Sequence, residues 1–125
     1  MRSFIPSYGD SKKPMQETHL NDSTADHFLL KTTGKTLLIF TSRTCAVCRV
    51  AKEKLPELAL NVDQLAWVDA GENGGLVEKY EVFHLPAMFL IENGVFYGAI
   101  NAQLAAWDIN RQIALALDAY PAELP

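Results

Sequence analysis

The chain has 125 residues, and its 11 basic and 15 acidic side chains give a formal net charge of −4. Hydrophobic residues make up 49% of the chain and charged residues 21%, which is typical of a folded domain and excludes an intrinsically disordered chain. The sequence contains no block of Lys and Arg, and its apolar runs are too short to span a bilayer. We therefore expect neither a nucleic-acid partner nor a membrane segment.

The N-terminal residues 1–16 are polar, show no hydrophobic periodicity and include Pro6, Gly9 and Pro14. We predict that they form a flexible extension, with a short strand as an option at its end, and that residues 17–125 form one domain. The extension lacks the apolar stretch of a secretory signal peptide, so we expect a cytoplasmic protein.

The first half of the domain alternates between predicted helices and strands. A helix is predicted after Ser23, and the apolar run within residues 36–41 predicts a strand that is buried on both faces. Residues 45–60 predict a second helix that kinks or restarts at Pro56, and residues 65–69 predict another strand. This alternation favours parallel strands with helices on the faces of the sheet.

The second half is predicted to contain a short helix, a β-hairpin and a final helix. The short helix is predicted over residues 76–80, after a glycine-rich loop. Strands are predicted over residues 87–91 and 95–100, because the Asn93-Gly94 pair between them is a strong two-residue hairpin turn. A helical repeat of apolar positions predicts the last helix over residues 104–119. The hairpin adds antiparallel strands, so the predicted sheet is mixed.

The chain contains two cysteines, Cys45 and Cys48, three positions apart. Two randomly placed cysteines would have this spacing in roughly 1–2% of cases, so the spacing is informative. A secreted disulfide scaffold would need more cysteines, and a structural zinc site would normally need four ligands. The spacing therefore favours a redox pair, since residues i and i+3 of a helix lie on one face. A metal or iron–sulfur site shared across a dimer through the same cysteines is a minor alternative.

Four short stretches of the sequence carry a family resemblance. They are a buried strand with its cysteine motif, a second strand, a stretch that ends in a proline, and a hairpin turn: residues 38–48, 67–69, 80–86 and 92–94. In this order they resemble the thioredoxin family, over residues 17–120. The resemblance implies an α/β thioredoxin-like fold, with a central mixed sheet of four or five strands flanked by helices on both faces.

The resemblance also implies the activity of a thiol–disulfide oxidoreductase that reduces protein disulfides. Cys45 would attack the partner disulfide, and Cys48 would resolve the mixed disulfide. A position at the start of a helix should lower the pKa of the Cys45 thiol below the free value of about 8.5. Because the cytosol keeps such pairs as dithiols, reduction is the expected direction.

Further site residues follow from the resemblance. It places Thr44, Leu85 and Pro86 against the substrate, with a cis peptide bond before Pro86 and free backbone groups on Leu85. Arg43 and His84 are candidate modulators of the cysteine pKa values, although both also fit solvated surface side chains. No metal or other cofactor is expected. We expect a monomer whose partners are protein disulfides and a thioredoxin-reductase-type electron donor.

Several positions depart from the pattern of the family. Thr44 stands where a Trp usually precedes the first cysteine, and the dipeptide between the cysteines is Ala-Val instead of Gly-Pro. Ile39 replaces the buried Asp that accepts a proton from the second cysteine, and Leu65 replaces a nearby Lys. These departures keep a second function open, namely a binding or redox-responsive module without efficient turnover.

Overall fold

The computed structural model describes residues 15–119 and 121–125, so nearly all of the predicted N-terminal extension lies outside the described residues. The strands and helices follow one another along the chain in this order: β1 (Gln16–Leu20), α1 (Ala25–Lys31), β2 (Lys35–Thr41), α2 (Ala46–Lys54), β3 (Gln64–Asp69), α3 (Gly74–Lys79), β4 (Ala87–Glu92), β5 (Val95–Ala99) and α4 (Ala106–Leu117). Within these ranges, no helix has the length and apolar character needed to cross a membrane.

The strands form one mixed sheet in the order β1-β3-β2-β4-β5. β1 and β2 both pair with β3 in parallel, whereas β4 is antiparallel to β2 and β5 is antiparallel to β4. β2 therefore lies at the centre of the sheet. The prediction of a mixed sheet in an α/β thioredoxin-like fold is confirmed, with five strands.

The two faces of the sheet are covered by different helices. Leu37 and Ile39 of β2 pack with buried side chains of α2 and α4, whereas Leu38 and Phe40 pack with those of α1 and α3. All four side chains are at most 1% exposed. Successive residues of a strand point to opposite faces, so a strand covered on both faces is apolar throughout, as predicted for this segment.

The helix that follows the cysteine motif is shorter than predicted. α2 ends at Lys54 and is followed by a 3₁₀ turn over Leu55–Glu57, so the prediction that the helix continues to residue 60 is wrong. Pro56 lies within that turn. It has no backbone N–H, and its ring clashes with the carbonyl four residues earlier in an α-helix, so α2 ends before Pro56 and the chain continues as the 3₁₀ turn.

α3 begins two residues earlier than predicted, at Gly74. The carboxylate of Asp22 accepts hydrogen bonds from the backbone N–H groups of Gly75 at 3.3 Å and Leu76 at 2.9 Å. These N–H groups lie in the first turn, where a helix provides no partner of its own. The Asp22 side chain, more than fifty positions away in the sequence, thus allows α3 to begin with Gly74 and Gly75.

Candidate active site

The two cysteines lie where the central strand β2 leads into α2. Cys45 is the N-cap residue of α2, and its backbone is extended, with φ −96° and ψ 113°. Cys48 lies in the first turn, and its backbone N–H donates to the Sγ of Cys45 at 3.1 Å. The Cα atoms are 5.2 Å apart and the two sulfurs form a disulfide. A helical turn thus holds the pair at disulfide distance.

The two cysteines differ in their exposure to solvent. Cys48 is 1% exposed and belongs to the buried side of α2, whereas Cys45 is only half-buried. An incoming group can therefore reach Cys45 from solvent, while Cys48 is accessible only from within the turn. The two cysteines therefore differ in how readily another molecule can reach and react with them.

The loop before β4 lies at the same end of the sheet as the cysteines. Phe40 of β2 pairs with Ala87 of β4 in antiparallel register, so the residues just after Phe40 and just before Ala87 are neighbours. The link to Cys45 follows β2, and Pro86 directly precedes β4, so the two segments lie next to each other at this end of the sheet. The Leu85–Pro86 peptide bond is cis.

The predicted substrate-binding residues are accessible to different degrees. Thr44 is exposed, and Leu85 and Pro86 are half-buried. Among the described residues, no hydrogen bond involves the backbone of Leu85, so its N–H and C=O are available to another chain. Two large apolar side chains near these positions are also exposed, Val47 between the cysteines at 54% and Phe83 at 88%.

Arg43 directs its charge to two carboxylates. Its guanidinium lies 3.7 Å from the carboxylate of Asp69 and donates to the carboxylate of Glu72 at 3.2 Å. Asp69 is the last residue of β3 and Glu72 lies in the loop after it, and the Arg43 side chain is 81% exposed. The second candidate modulator, His84, is exposed and forms no hydrogen bond or salt bridge with a described residue.

The sheet surface under α2 is apolar, as the departure at Ile39 predicts. Ile39 is fully buried and pairs with Trp67 of β3 and Met88 of β4. Two charged side chains, Glu17 and Lys52, lie next to Trp67. Its indole N–H donates to the carboxylate of Glu17 at 2.7 Å, and the ammonium of Lys52 lies 5.9 Å from the ring centroid.

Sequence reasoning assigned no role to Glu17 or Lys52. Lys52 lies four positions after Cys48, and residues at i and i+4 of a helix share one face, so this spacing was a usable signal. Nothing in the sequence pattern pairs Glu17 with Trp67, because β1 and β3 are about fifty residues apart and adjacent only in the folded sheet.

Two groups with shifted pKa values lie away from the disulfide. Burial and the nearby Asp26 carboxylate raise the pKa of Tyr80 to about 12. Hydrogen bonds from the backbone N–H of Gln103 and from Arg111 lower the pKa of Asp108, which lies in the first turn of α4.

Within the described ranges, no group of three or more His, Cys, Asp or Glu side chains is arranged to hold a metal ion.

The chain is similar to known proteins in family and in fold. A family model described as Thioredoxin matches residues 16–114, which include both cysteines and the loop with Pro86. A search of curated protein sequences finds no significant match. The family model thus covers all five strands and most of α4.

Three solved structures with similar folds each share 17% sequence identity with this chain. Human ERp44 in its zinc-bound form has a TM-score of 0.67, with 80% of this chain and 30% of that chain covered. The J-Trx1 fragment of ERdj5 has a TM-score of 0.66, with 82% and 52% covered. Thioredoxin from Trypanosoma brucei brucei has a TM-score of 0.63, with 85% and 94% covered. This chain spans less than two thirds of the ERp44 and ERdj5 chains.

Proposed function

This chain belongs to the thioredoxin family, and we propose that it reduces protein disulfides by dithiol–disulfide exchange through Cys45 and Cys48. The observation that carries the proposal is the unequal exposure of a disulfide-bonded pair at the start of a helix. A partly exposed first cysteine and a buried second cysteine suit an attacking and a resolving role.

The exchange begins on the reduced protein. The Cys45 thiolate attacks one sulfur of the partner disulfide, so a mixed disulfide forms and one partner thiolate leaves. The Cys48 thiolate then attacks the Cys45 sulfur, which restores the Cys45–Cys48 disulfide and releases the second partner thiolate. Two electrons pass to the partner, whose two thiolates take up protons from solvent. A dithiol reductase of the thioredoxin-reductase type would return two electrons to the pair.

The surroundings of the pair support this sequence of steps. Backbone N–H groups at the start of α2 favour negative charge on the Cys45 sulfur. The free backbone groups of Leu85 can pair with an extended partner segment, as one strand pairs with another. Val47 and Phe83 add exposed apolar surface to the same neighbourhood. Thr44 contributes an exposed side chain next to the attacking sulfur.

The proposal includes a cytoplasmic location and a monomeric state. The whole chain has two cysteines, and both belong to the redox pair, which suits a compartment where structural disulfides are rare. Fractionation and sedimentation velocity test these two points independently of activity.

A second function is favoured by one specific observation. Ile39 is fully buried at the position of the family's proton-accepting Asp, so proton removal from Cys48 would be slow and the protein could act as a redox-responsive binding module. Insulin reduction with dithiothreitol as the electron source separates the two functions. We expect turnover above the dithiothreitol background for the native chain and none for Cys45→Ser. A rate equal to background for both proteins would reject the oxidoreductase proposal and favour the binding module.

A further inference from the structure

An open pocket with a volume of about 410 Å³ is lined by residues that flank the redox pair in the sequence, although neither cysteine lines it. Its wall includes Ser42 and Arg43 from the link that leads to Cys45, and Arg49 and Lys52 from α2. Trp67 of β3 also lines it. Pockets that bind small groups typically have volumes of roughly 300–1,000 Å³, so this one can accept one or a few side chains of a partner.

The charges of the pocket are arranged unevenly. At the β3 end, Arg43 is neutralised by Asp69 and Glu72. At the α2 end, neither Arg49 nor Lys52 forms a salt bridge with a described residue. The α2 end therefore has an excess of positive charge on a chain whose formal net charge is −4.

Lys52 is held toward the pocket by its neighbours. Its ammonium lies 5.9 Å from the centroid of the Trp67 ring, a distance at which a cation is attracted to an aromatic face. The Trp67 side chain is itself buried and anchored by its hydrogen bond to Glu17. Arg49 directly follows Cys48 in the first half of α2. Both positive charges thus lie on the helix that carries the pair.

We propose that the α2 end of this pocket binds a carboxylate side chain of the disulfide-bearing partner, so that the protein prefers substrates with an Asp or Glu near the disulfide. This inference rests on the proposed function and names its substrate class. The acidic groups at the β3 end would repel a second carboxylate there, which favours a single acidic side chain of a polypeptide over a small ligand with several carboxylates.

The test uses two disulfide-linked peptides that differ only in an Asp or an Asn next to one cysteine. With the reduced native protein at low ionic strength, we expect kcat/KM to be about fivefold higher for the Asp peptide, since one exposed charge pair changes affinity by at most about that factor. Arg49→Gln and Lys52→Gln should each lower this preference by about twofold. Added salt should lower it for the native protein, because exposed charges are screened.

Lys54→Gln is the matched control. Lys54 is an exposed cation in the last turn of α2 and does not line the pocket, so its loss should leave the preference unchanged. Equal rates for the two peptides with the native protein would overturn the inference, as would a Lys54→Gln effect as large as that of Arg49→Gln. Oxidised glutathione serves as a small disulfide substrate in the same assay. If Arg49→Gln slowed only its reduction and left the peptide preference unchanged, the pocket would be a small-ligand site, which would contradict the polypeptide assignment.

Binding measured without chemistry separates this inference from the proposed function. Cysteine-free versions of the two peptides, labelled with a fluorophore, can be titrated with the oxidised protein and followed by fluorescence anisotropy. Tighter binding of the Asp peptide that is lost in Arg49→Gln supports the pocket even if neither disulfide peptide is reduced. Reduction of both peptides without a difference in binding would overturn the pocket and leave the oxidoreductase proposal standing.

Discussion

The backbone N–H of Cys48 donates a hydrogen bond to the Sγ of Cys45 across 3.1 Å. The sulfur therefore occupies the place that a Ser, Thr or Asp oxygen takes at most helix N-caps. A hydrogen bond to a charged acceptor is stronger than one to a neutral acceptor, so this contact favours the thiolate over the thiol after reduction. The same atom thus caps the helix and serves as the proposed nucleophile.

The two cysteines should behave differently when each is replaced. Cys48→Ala removes the proposed resolving thiol, so the mixed disulfide through Cys45 should persist and appear as high-mass species on a non-reducing gel. Cys45→Ser keeps an oxygen that can cap α2, so the helix should persist while no partner is trapped. The measurement is the yield of thiol-sensitive adducts after incubation with a disulfide-containing protein. Equal yields from the two variants would contradict the assigned roles.

The contact between Trp67 and Glu17 should contribute to stability. The indole N–H of Trp67 is buried and donates to the carboxylate of Glu17 at 2.7 Å. Glu17→Ala would leave this donor without its partner, so the free energy of unfolding should fall by about 1–3 kcal/mol. Glu17→Gln keeps an acceptor oxygen and should cost less. Urea denaturation of the three proteins measures the difference, and equal losses for both variants would argue against the hydrogen bond as the cause.

The fold was predictable from the sequence where the signal is local. The apolar run of β2, the Asn93-Gly94 turn and the helical periodicity of α4 each identify an element from adjacent residues, and the structure confirms all three. β1 is the contrasting case. It lies at the edge of the sheet, most of its side chains are exposed, and its pairing with β3 joins distant segments, so it has little hydrophobic pattern of its own.

The candidate site shows the same division. The spacing of Cys45 and Cys48 identifies the pair without a structure. The partners of Arg43 could not be predicted, because Asp69 and Glu72 reach it only after β2 and β3 pair in parallel register. The start of α3 likewise depends on Asp22, a residue on a different segment. In each case the missing information is a tertiary contact, which local patterns do not encode.

Tyr80 should make stability depend on alkaline pH. Its buried hydroxyl has no hydrogen-bond partner among the described residues, and burial and the Asp26 carboxylate raise its pKa from 10.0 to about 12. Between these values the unfolded state loses this proton and the folded state keeps it, so the free energy of unfolding should fall as the pH rises. Tyr80→Phe removes this ionisation and should reduce the alkaline loss. Equal loss in both proteins would contradict the shifted pKa.

Tyr80→Phe also tests the cost of the unpaired hydroxyl at neutral pH. Removing a buried polar group that has no partner removes its desolvation penalty, while the ring contacts with Phe40 and Phe89 stay in place. We expect the variant to be as stable as the native protein or more stable by up to about 1 kcal/mol. Urea denaturation at pH 7 measures this difference. A clear loss of stability would indicate that the hydroxyl has a partner in solution.

The C-terminal segment should protect the β5 edge of the sheet. The N–H and C=O of Phe96 form two 2.8 Å hydrogen bonds with the backbone of Ala122, and Leu124 packs against the core on the α1 side. Deleting residues 121–125 would leave these backbone groups unpaired on an edge strand, which is a template for pairing with a second chain. The free energy of unfolding should fall by about 1–3 kcal/mol for two lost hydrogen bonds.

The truncated protein should therefore associate as its concentration rises, whereas deletion of Pro125 alone keeps the Phe96–Ala122 pair and should leave the protein unchanged. Sedimentation velocity over a hundredfold concentration range measures association, and urea denaturation measures stability. Loss of stability without association would indicate that the segment stabilises the protein by covering the aromatic side chains around Phe96, and not by pairing with its backbone edge. Unchanged stability and unchanged association would contradict the role of the segment altogether, because both follow from the same pair of hydrogen bonds.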